Sequence, residues 1–457
     1  MKKIVLSTAV AAVAIASLAA CSPTASHTSS NTSAPGPSAL KDAKGLTNIT
    51  IWHGLGAANG VAFNNLISEF NSANAGKIKV TASYQGAYAD LLAKYTASVR
   101  SNSSPTVLLA GDIATGYLTD VKRNIPATTM AKANPDDLNL GDLSAAGRNY
   151  YTVNGQEQAV PMNMSTPVLW VNRDLLKAAG IPATTDLSTL AGVAAAAKTV
   201  TQKTGKKGIV QADDDWYIEQ LTAAAGQNFC TPDNGRKGAA ATGITVNTGA
   251  AKAAISTVAD LYRSGVGLAA PIASSDLTAF QAGKVAFMFN GSGAAGVLKK
   301  GTPFKYEALP YPLSGPKATS GTVIGGSALW LSSSASKAQQ LAGWKLETFL
   351  TSPSAQEKFS HATGYIPVNN KVASSPTQQA YLAANPNFEV FSNQIKNDPI
   401  ESQTAGCVTG AMTAIRTANI SQIQAAFSGS TPVNTALDQA ASAAKSAIHQ
   451  YQQQLGH

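Results

Sequence analysis

Apolar and polar residues recur along residues 48–110 with two different periods. Residues 48–53 alternate apolar and polar positions, which is typical of a β-strand. After residue 59, apolar residues recur at intervals of three and four, as on one face of an amphipathic helix. These positions are Phe63, Leu66, Ile67 and Phe70. Residues 78–84 and 105–110 are predicted to be further strands, with a helix over 88–99. The order predicts a parallel sheet with crossover helices.

The carboxyl ends of these strands are the expected ligand-binding edge, because open parallel sheets bind ligands there. Trp52 and His53 end the first strand, residues 85–88 follow the second, and Asp112 follows the third. A second series of strands and helices begins near residue 165. Its predicted strands cover 168–172, 208–211, 284–290 and 322–330, and its predicted helices cover 173–180, 187–204, 339–350 and 434–454.

The composition narrows the class of protein. The 457 residues include 34 Lys+Arg and 25 Asp+Glu, which gives a net charge of +9, and 13% of the residues are charged, against the usual ~25%. Nucleic-acid binding is disfavoured because no block of five or six basic residues occurs. Three cysteines exclude a disulfide-dense miniprotein and a four-cysteine zinc site, and the five histidines form no HExxH pair. We expect neither a metal nor a cofactor.

The N-terminus has the features of a bacterial lipoprotein signal peptide. Lys2 and Lys3 precede an uncharged apolar run that ends in Leu-Ala-Ala-Cys21, which is similar to the lipobox. Residues 1–20 are therefore predicted to be removed, and acylated Cys21 to anchor the protein outside the cell membrane. The alternative is a plain secretory signal with an incidental cysteine. Residues 21–46, rich in Ser, Thr, Pro and Ala, are predicted to form a flexible tether.

Two further cysteines, Cys230 and Cys407, remain once Cys21 is assigned to lipid attachment. In an extracytoplasmic compartment such a pair can form a disulfide, and we predict that it does. Two unpaired buried thiols are the alternative, because separation in sequence does not decide between them.

Six short stretches recur in an order and spacing shared with a known family. They are residues 51–53 (IWH), 84–88 (YQGAY), 163–169 (NMSTPVL) followed by Asn172 and Asp174, 283–287 (GKVAF), 324–330 (IGGSALW) and 363–367 (TGYIP). Through them, and over about residues 48–450, the chain resembles the extracellular solute-binding proteins of bacterial ABC importers. The resemblance is to the large family 1 type that includes the maltose- and glycerol-3-phosphate-binding proteins.

This resemblance implies an α/β periplasmic-binding-protein fold of type II, with two lobes, three hinge crossings and a ligand cleft between the lobes. The predicted crossings lie near 161–166, 283–286 and 325–329. The predicted lobes are 47–163 with 286–326 (lobe 1) and 166–284 with 328–457 (lobe 2). The lobes are expected to close around the ligand by a hinge motion, and the permease subunits to bind the closed form.

A sugar or polyol presents hydroxyl groups and an apolar C–H face, so its pocket needs polar groups and aromatic rings. The aromatic candidates are Trp52, Tyr88, Trp216 and Tyr365. The other candidates are His53, Asp112, Ser165, Ser292 and Gly326. The resemblance implies ligand contacts at Tyr88, Asp112, Ser165 and Tyr365, and one near Trp216. The alternatives are core packing for the aromatic residues, a helix N-cap for Asp112, a hinge turn for Ser165 and a β-bulge for Gly326.

One departure from the resemblance bears on the ligand. The glycerol-3-phosphate group carries Gly-x-Arg-x-Gly, whose Arg pairs with phosphate, whereas residues 406–410 read GCVTG, with Val408 in place of that Arg. Losing a bidentate phosphate partner favours a neutral sugar or oligosaccharide over glycerol-3-phosphate or a glycerophosphodiester, although Arg416 could compensate. We therefore expect a monomeric lipoprotein, not an enzyme, that delivers a carbohydrate to ABC permease subunits. An extracellular lipoprotein hydrolase is the alternative from another class.

Overall fold

The computed structural model describes residues 33–211, 214–270, 275–317 and 319–455. The predicted signal peptide (1–20) and the predicted anchor Cys21 lie outside these ranges. The strands are β1 (Thr47–His53), β2 (Ile78–Tyr84), β3 (Val107–Gly111), β4 (Asn124–Ile125), β5 (Thr152–Val153), β6 (Gln156–Glu157), β7 (Val160–Ser165), β8 (Pro167–Asn172), β9 (Lys207–Gln211), β10 (Cys230–Thr231), β11 (Gly243–Ile244), β12 (Val285–Gly291), β13 (Tyr306–Pro310) and β14 (Gly325–Ser332).

The α-helices are α1 (Ala57–Ala73), α2 (Tyr88–Arg100), α3 (Thr115–Asp120), α4 (Ala127–Ala133), α5 (Ala145–Tyr150), α6 (Arg173–Ala178), α7 (Leu190–Thr204), α8 (Trp216–Ala224), α9 (Gly249–Arg263), α10 (Ser275–Gln281), α11 (Ala295–Gly301), α12 (Lys337–Leu350), α13 (Pro353–Thr363), α14 (Pro376–Ala384), α15 (Pro386–Asn397), α16 (Ser402–Ala405), α17 (Met412–Ser428) and α18 (Val433–Leu455). Short 3₁₀ helices cover Pro37–Leu40, Asp112–Ala114, Leu140–Asp142, Asp233–Gly235, Ser292–Ala294 and Asn370–Ser374. Among the described residues, no helix has both the length and the apolar character needed to cross a bilayer.

The first sheet has the strand order β2-β1-β3-β14-β4, and β7 also pairs with β14. Strand β1 is parallel to both β2 and β3, which confirms the parallel arrangement predicted for residues 48–110. Ile49 and Ile51 of β1 are buried in the same core as Phe63 and Phe70 of α1. The strand-like alternation and the helix-like spacing in the sequence therefore correspond to β1 and to the helix α1 packed on its sheet.

The second sheet has the strand order β13-β8-β12-β9. Strand β12 is antiparallel to β8 and parallel to β9. Leu169 and Phe287 belong to one hydrophobic core, while Trp170 and Met288 belong to the other. Both faces of this sheet are therefore buried, which explains why its strands read as nearly continuous apolar runs.

The predicted lobe boundaries disagree with the strand pairing. Residues 286–326 were expected in lobe 1, but Phe287 pairs with Val171 and Tyr306 with Asn172, so β12 and β13 lie in the second sheet. Residues 328–457 were expected in lobe 2, but β14 lies in the first sheet and α12 packs against β1. The lobe 1 assignment is therefore wrong for β12 and β13, and the lobe 2 assignment is wrong for β14 and α12, because an apolar run identifies a strand without identifying its partners.

Two of the three predicted crossings differ from the places where the chain passes between the two sheets. It leaves the first sheet at Thr166, between β7 and β8, which lies inside the predicted crossing at 161–166. The crossing predicted at 283–286 is wrong, because β9 and β12 are neighbours in one sheet. The return passage is the segment between β13 and β14, just before the crossing predicted at 325–329.

A network of polar side chains ties these two passages together. The hydroxyl oxygens of Thr166 and Thr322 are 3.1 Å apart. The amide nitrogen of Gln394, on α15, donates to both hydroxyls and to the carbonyl oxygen of Pro167 at 2.7 Å. Asp398 accepts hydrogen bonds from the Thr322 hydroxyl and from its backbone N–H, the latter at 2.8 Å. The end of α15 therefore fixes one passage relative to the other.

The substitution Asp398→Asn is expected to flatten the pH dependence of stability between about pH 4 and 6. Burial raises the pKa of Asp398 from 3.8 to about 6, although hydrogen bonds from Thr322 oppose the shift. A carboxyl group whose pKa is higher in the folded protein binds protons more tightly there, so its contribution to stability is lost as pH rises through this interval. The free energy of unfolding of the wild type should fall by about 2–3 kcal/mol more than that of the variant. Urea denaturation across the interval measures this, and parallel curves for the two proteins would contradict it.

Within the flexible tether predicted over residues 21–46, residues 35–40 contact the folded body. Pro35 is buried, and its carbonyl oxygen accepts a hydrogen bond from the side chain of Asn134 at 3.0 Å. Ala39 and Leu40 pack against the core, and their 3₁₀ helix contacts α12. The Ser/Thr/Pro-rich composition concealed these few apolar residues, so the folded body begins earlier than residue 47.

A disulfide joins Cys230 and Cys407, whose Cα atoms are 5.5 Å apart. Both residues are buried in the same hydrophobic core. The bond connects β10 to the segment that precedes α17, across a sequence separation of 177 residues. The alternative of two unpaired thiols therefore does not apply.

Arg236 is a buried cation between the ends of two helices. The residue is 8% exposed, and its guanidinium donates to the carbonyl oxygens of Tyr150 at 2.8 Å and Gly406 at 2.6 Å. It also donates to the carbonyl oxygens of Asn149, Thr152 and Ala405. Helix α5 ends at Tyr150 and α16 at Ala405, so the cation lies at two negative helix termini. Burial lowers the pKa of Arg236 to about 10.

Candidate ligand-binding cleft

The ring of Tyr88 lies across the carboxyl ends of two strands of the first sheet. Tyr88 begins α2, and Gly54 and Gly111 lie at the ends of β1 and β3. A β-carbon at Gly54 would be 2.7 Å from a Tyr88 ring carbon, and one at Gly111 would be 2.6 Å from another. Glycine at both positions therefore makes room for this ring at the edge where parallel sheets bind ligands.

A second aromatic ring lies beside the passage from the first sheet to the second. Trp216 begins α8 and is 9% exposed. A β-carbon at Gly325 would be 3.1 Å from the Trp216 ring and 2.8 Å from the Ser165 hydroxyl oxygen. Gly325 and Ser165 are also paired across β14 and β7. The predicted candidates Trp216 and Ser165 therefore share one location.

Tyr365 and Asp112 complete the cluster around Tyr88. Tyr365 follows α13, and its ring stacks on Phe359 with 5.8 Å between ring centroids. Burial raises the pKa of the Tyr88 hydroxyl well above its usual value, the neighbouring Tyr365 and Asp112 raise it further, and a hydrogen bond with Ser327 opposes the shift. Burial likewise raises the pKa of Tyr365, although a hydrogen bond with Tyr88 opposes the shift, and Asp112 raises it further. These influences place two phenol hydroxyls and one carboxylate in the same part of the cleft.

A three-residue ion cluster connects the two sides of the cleft. The Nη2 atom of Arg416, on α17, is 3.0 Å from Asp112 Oδ2 and 3.3 Å from Glu219 Oε2. Asp112 directly follows β3 of the first sheet, whereas Glu219 lies on α8. The other carboxylate oxygen of Glu219 accepts the backbone N–H of Cys407 at 2.8 Å. Burial alone would lower the pKa of Arg416, but Asp112 and Glu219 raise it overall. The carboxylate of Asp112 therefore pairs with an arginine across the cleft.

The two sides are also in direct contact beside this cluster. A β-carbon at Gly116, in α3, would overlap the backbone carbonyl group of Thr409. The hydroxyl of Tyr451, on α18, donates to Asp120 Oδ2 at 3.0 Å. Helix α3 follows β3 of the first sheet, whereas α18 packs on α17 and α9. The cleft is therefore closed at this edge.

Several buried polar atoms at the cleft lack a hydrogen-bond partner among the described residues. They are Trp216 Nε1, Asn163 Nδ2, Asp215 Oδ1 and Arg416 Nε. Leaving such a group unpaired costs about 1–3 kcal/mol. A polar ligand or water held between the two sides would satisfy these groups.

Two other predicted ligand contacts, His53 and Ser292, are buried in contacts that stabilise the fold. His53 is 1% exposed and packs between Phe63 and Tyr84, with ring centroids at 4.9 and 5.9 Å; burial lowers its pKa. Ser292 is fully buried, and its hydroxyl accepts the N–H of Thr166 at 3.2 Å. These two side chains are occupied in packing and in fixing the passage at Thr166.

Trp52 and Gly326 are the last two predicted ligand contacts, and each has a different environment. Trp52 is half-buried and packs against the core, on the face of β1 opposite to His53. Gly326 has φ +128°, and a β-carbon there would overlap the carbonyl oxygen of Asn163. Position 326 therefore requires glycine, because a side chain would strain the backbone at this φ and overlap Asn163.

Glu219 and Asn163 are absent from the residues predicted from the sequence, which also gave Arg416 no partner. The carbonyl oxygen of the Asn163 side chain accepts the N–H of Ser327 at 2.8 Å, which leaves its NH₂ group unpaired. Asn163 was visible as part of the stretch 163–169, and Glu219 lies three positions after Trp216, on the same helix. Within the described ranges, no group of three or more His, Cys, Asp or Glu side chains could hold a metal ion.

Comparison with known proteins places this architecture among binding proteins. The model of a family described as bacterial extracellular solute-binding protein matches residues 65–389. The chain is 26% identical over 423 residues to the sn-glycerol-3-phosphate-binding periplasmic protein UgpB of Yersinia enterocolitica, a match that covers 90% of this chain and 94% of that protein. It is 24% identical over 419 residues to UgpB of Escherichia coli K12, which covers 91% of this chain and 95% of that protein.

Solved structures show the same fold at lower sequence identity. The cyclic alpha-maltosyl-1,6-maltose binding protein from Arthrobacter globiformis matches with a TM-score of 0.72 and 22% identity over 88% of this chain and 99% of that chain. UgpB from Mycobacterium tuberculosis, solved in complex with glycerophosphocholine, matches with a TM-score of 0.74 and 18% identity over 88% of this chain and 98% of that chain. These matches confirm the predicted α/β two-lobed periplasmic-binding-protein fold.

Proposed function

Because the chain belongs to the bacterial extracellular solute-binding protein family, we propose that it captures a neutral carbohydrate outside the membrane and delivers it to an ABC importer. The family consists of solute-binding proteins, so the chain is not an enzyme and the hydrolase alternative is dropped. The same family makes it an extracytoplasmic protein. We propose that acylated Cys21, in the stretch Leu18-Ala19-Ala20-Cys21, anchors it to the membrane.

The observation that carries this proposal is the collection of unpaired polar atoms beside aromatic rings at the cleft. Trp216 combines a ring face with a buried Nε1 atom that lacks a partner among the described residues, and Tyr88 adds a second ring whose buried hydroxyl lies beside those of Ser327 and Tyr365. A sugar ring offers hydroxyl groups to such atoms and a C–H face to the rings. We propose Tyr88, Asp112, Ser165, Trp216 and Tyr365 as ligand contacts, with Asn163 and Arg416 added to them.

Strand pairing supports a revised proposal for the lobes. We assign the first sheet and the helices on it to lobe 1, and the second sheet with α15, α17 and α18 to lobe 2. In this division Asp112 belongs to lobe 1, and Glu219 and Arg416 belong to lobe 2.

A second candidate ligand is glycerol-3-phosphate or a glycerophosphodiester. It is favoured by the similarity to UgpB over 90% of the chain. Val408 argues against it, because the resemblance implies an arginine at that position. Structural neighbours include sugar-binding proteins as well as one UgpB, so fold similarity does not separate the two ligands.

A thermal-unfolding screen tests both the class of protein and the ligand. Candidate solutes are monosaccharides, maltose, longer oligosaccharides, sn-glycerol 3-phosphate and glycerophosphocholine. A ligand that binds only the folded protein at about 100 times its Kd adds about 2.7 kcal/mol of stability. We expect a neutral saccharide to raise the melting temperature most and to be recovered unchanged. Chemical conversion of any member of the panel would contradict the proposal.

The substitution Tyr88→Phe is expected to weaken binding of that saccharide about tenfold while lowering the free energy of unfolding by no more than about 1 kcal/mol. The change removes only the hydroxyl group, which is buried beside the hydroxyl groups of Ser327 and Tyr365, so the unliganded protein loses at most the net value of one hydrogen bond, about 1 kcal/mol. Isothermal titration gives the affinity, and urea denaturation gives the stability. Tyr84→Phe is the matched control, because Tyr84 is 55% exposed. A loss of stability with unchanged affinity would show that Tyr88 has a purely structural role.

A further inference from the structure

We propose that Asp112 and Glu219 form a carboxylate guard that occupies Arg416 and thereby excludes phosphorylated solutes from the cleft. The inference rests on the proposed function and names a determinant of its ligand class. It assigns to Arg416 a role opposite to phosphate binding, although arginine is the side chain best suited to bind phosphate.

The geometry of the guard leaves little of the cation available. One nitrogen of Arg416 contacts both carboxylates, at 3.0 and 3.3 Å. The side chains of Arg416 and Asp112 are each 12% exposed, and that of Glu219 is 2% exposed. Two carboxylates share this one guanidinium, and the buried cation Arg236 also acts on Glu219. Asp214 also acts on the charge of Arg416.

Glu219 is held in place by a second hydrogen bond. Its Oε1 atom accepts the backbone N–H of Cys407, and Cys407 is bonded to Cys230. The carboxylate therefore cannot turn away from Arg416 without leaving a buried N–H group unpaired, which costs about 1–3 kcal/mol. A phosphate group would have to displace a carboxylate that the disulfide-linked segment holds in position.

A dianionic phosphate at Arg416 would also lie beside two carboxylates of the same sign of charge. Repulsion between buried charges is strong, because the protein interior screens them weakly. Displacing either carboxylate would leave it buried without its partner, which is costly. An uncharged polyol meets neither obstacle, since its hydroxyl groups can donate to the carboxylates and accept from the unpaired Nε of Arg416.

Neutralising the guard should therefore convert the cleft into a phosphate site. The test measures binding of sn-glycerol 3-phosphate, inorganic phosphate and the neutral saccharide by titration calorimetry at low and high salt. The proteins are wild type, Asp112→Asn and Glu219→Gln. Glu157→Gln is the matched control, because Glu157 pairs with Arg148 away from the cleft and is 12% exposed, like Asp112. Both guard variants are isosteric, and unfolding curves verify that each protein is folded.

We expect the wild type to prefer the neutral saccharide to sn-glycerol 3-phosphate. Each guard variant should gain at least about tenfold in affinity for sn-glycerol 3-phosphate, and salt should weaken this gain because an ion pair causes it. The control variant should behave as the wild type does. Tighter wild-type binding of sn-glycerol 3-phosphate than of every neutral solute would overturn the proposal, as would folded guard variants that show no gain. The proposed function fails separately, if no neutral saccharide binds the wild type.

Discussion

The substitution Arg236→Met is expected to lower the free energy of unfolding by about 3–5 kcal/mol, a large share of the stability of a typical domain. Arg236 donates to carbonyl oxygens in two separate segments, residues 149–152 and 405–406. Methionine fills a similar volume but donates no hydrogen bond, so it leaves buried carbonyl groups at two helix ends without a donor. The effect should be visible in urea denaturation of the unliganded protein.

The matched control is Arg100→Met, at the exposed C-terminal end of α2. It removes the same charge and should change the free energy of unfolding by less than about 0.5 kcal/mol. Equal effects at positions 236 and 100 would show that the loss reflects net charge, not the buried hydrogen bonds of Arg236.

The substitution Gly116→Ala is expected to weaken ligand binding about 100-fold while leaving the unliganded protein folded. The added methyl group would overlap the backbone of Thr409 on the other side of the cleft, so the closed arrangement is penalised directly. Alanine favours the helical backbone of α3 over glycine by about 1 kcal/mol, so folding of that segment is not impaired. A 100-fold loss corresponds to about 2.7 kcal/mol.

Two measurements together separate blocked closure from a general loss of structure. Titration calorimetry gives the affinity, and small-angle X-ray scattering should show a larger radius of gyration for Gly116→Ala than for the wild type in the presence of ligand. Gly243→Ala is the control, because its nearest neighbouring atom would be 3.9 Å from the new β-carbon. Unchanged affinity in Gly116→Ala would contradict the expectation that both sides must meet here.

Local periodicity was sufficient to locate one side of the candidate cleft. Strand alternation and helical spacing predicted where β1 and β3 end, and Tyr88 and Asp112 do lie at that edge. The same alternation also puts the side chains of adjacent residues on opposite faces of a strand. Trp52 and His53 could not both face one ligand, and His53 packs against α1.

The remaining features depend on contacts between distant segments, which one sequence does not encode in its local pattern. Arg416 meets Asp112 across 304 positions and Glu219 across 197. The sheet to which β12 and β14 belong is likewise set by pairing with β8 and β3, not by their own apolar runs. Ser292 looked suited to a ligand because it follows a strand, but it holds Thr166.

The disulfide has a consequence for the order of events during secretion. The chain is exported with its N-terminus first, so Cys230 leaves the cytoplasm before Cys407, which lies 177 positions later. In the finished protein the two residues are 0% and 3% exposed, so an oxidising catalyst has access to them only before the surrounding helices assemble. We therefore expect the core around Cys230 to finish assembling only after residue 407 has been exported. Synthesis in a reducing cytoplasm would omit this step. The resulting protein would lack the disulfide that connects β10 to the segment before α17.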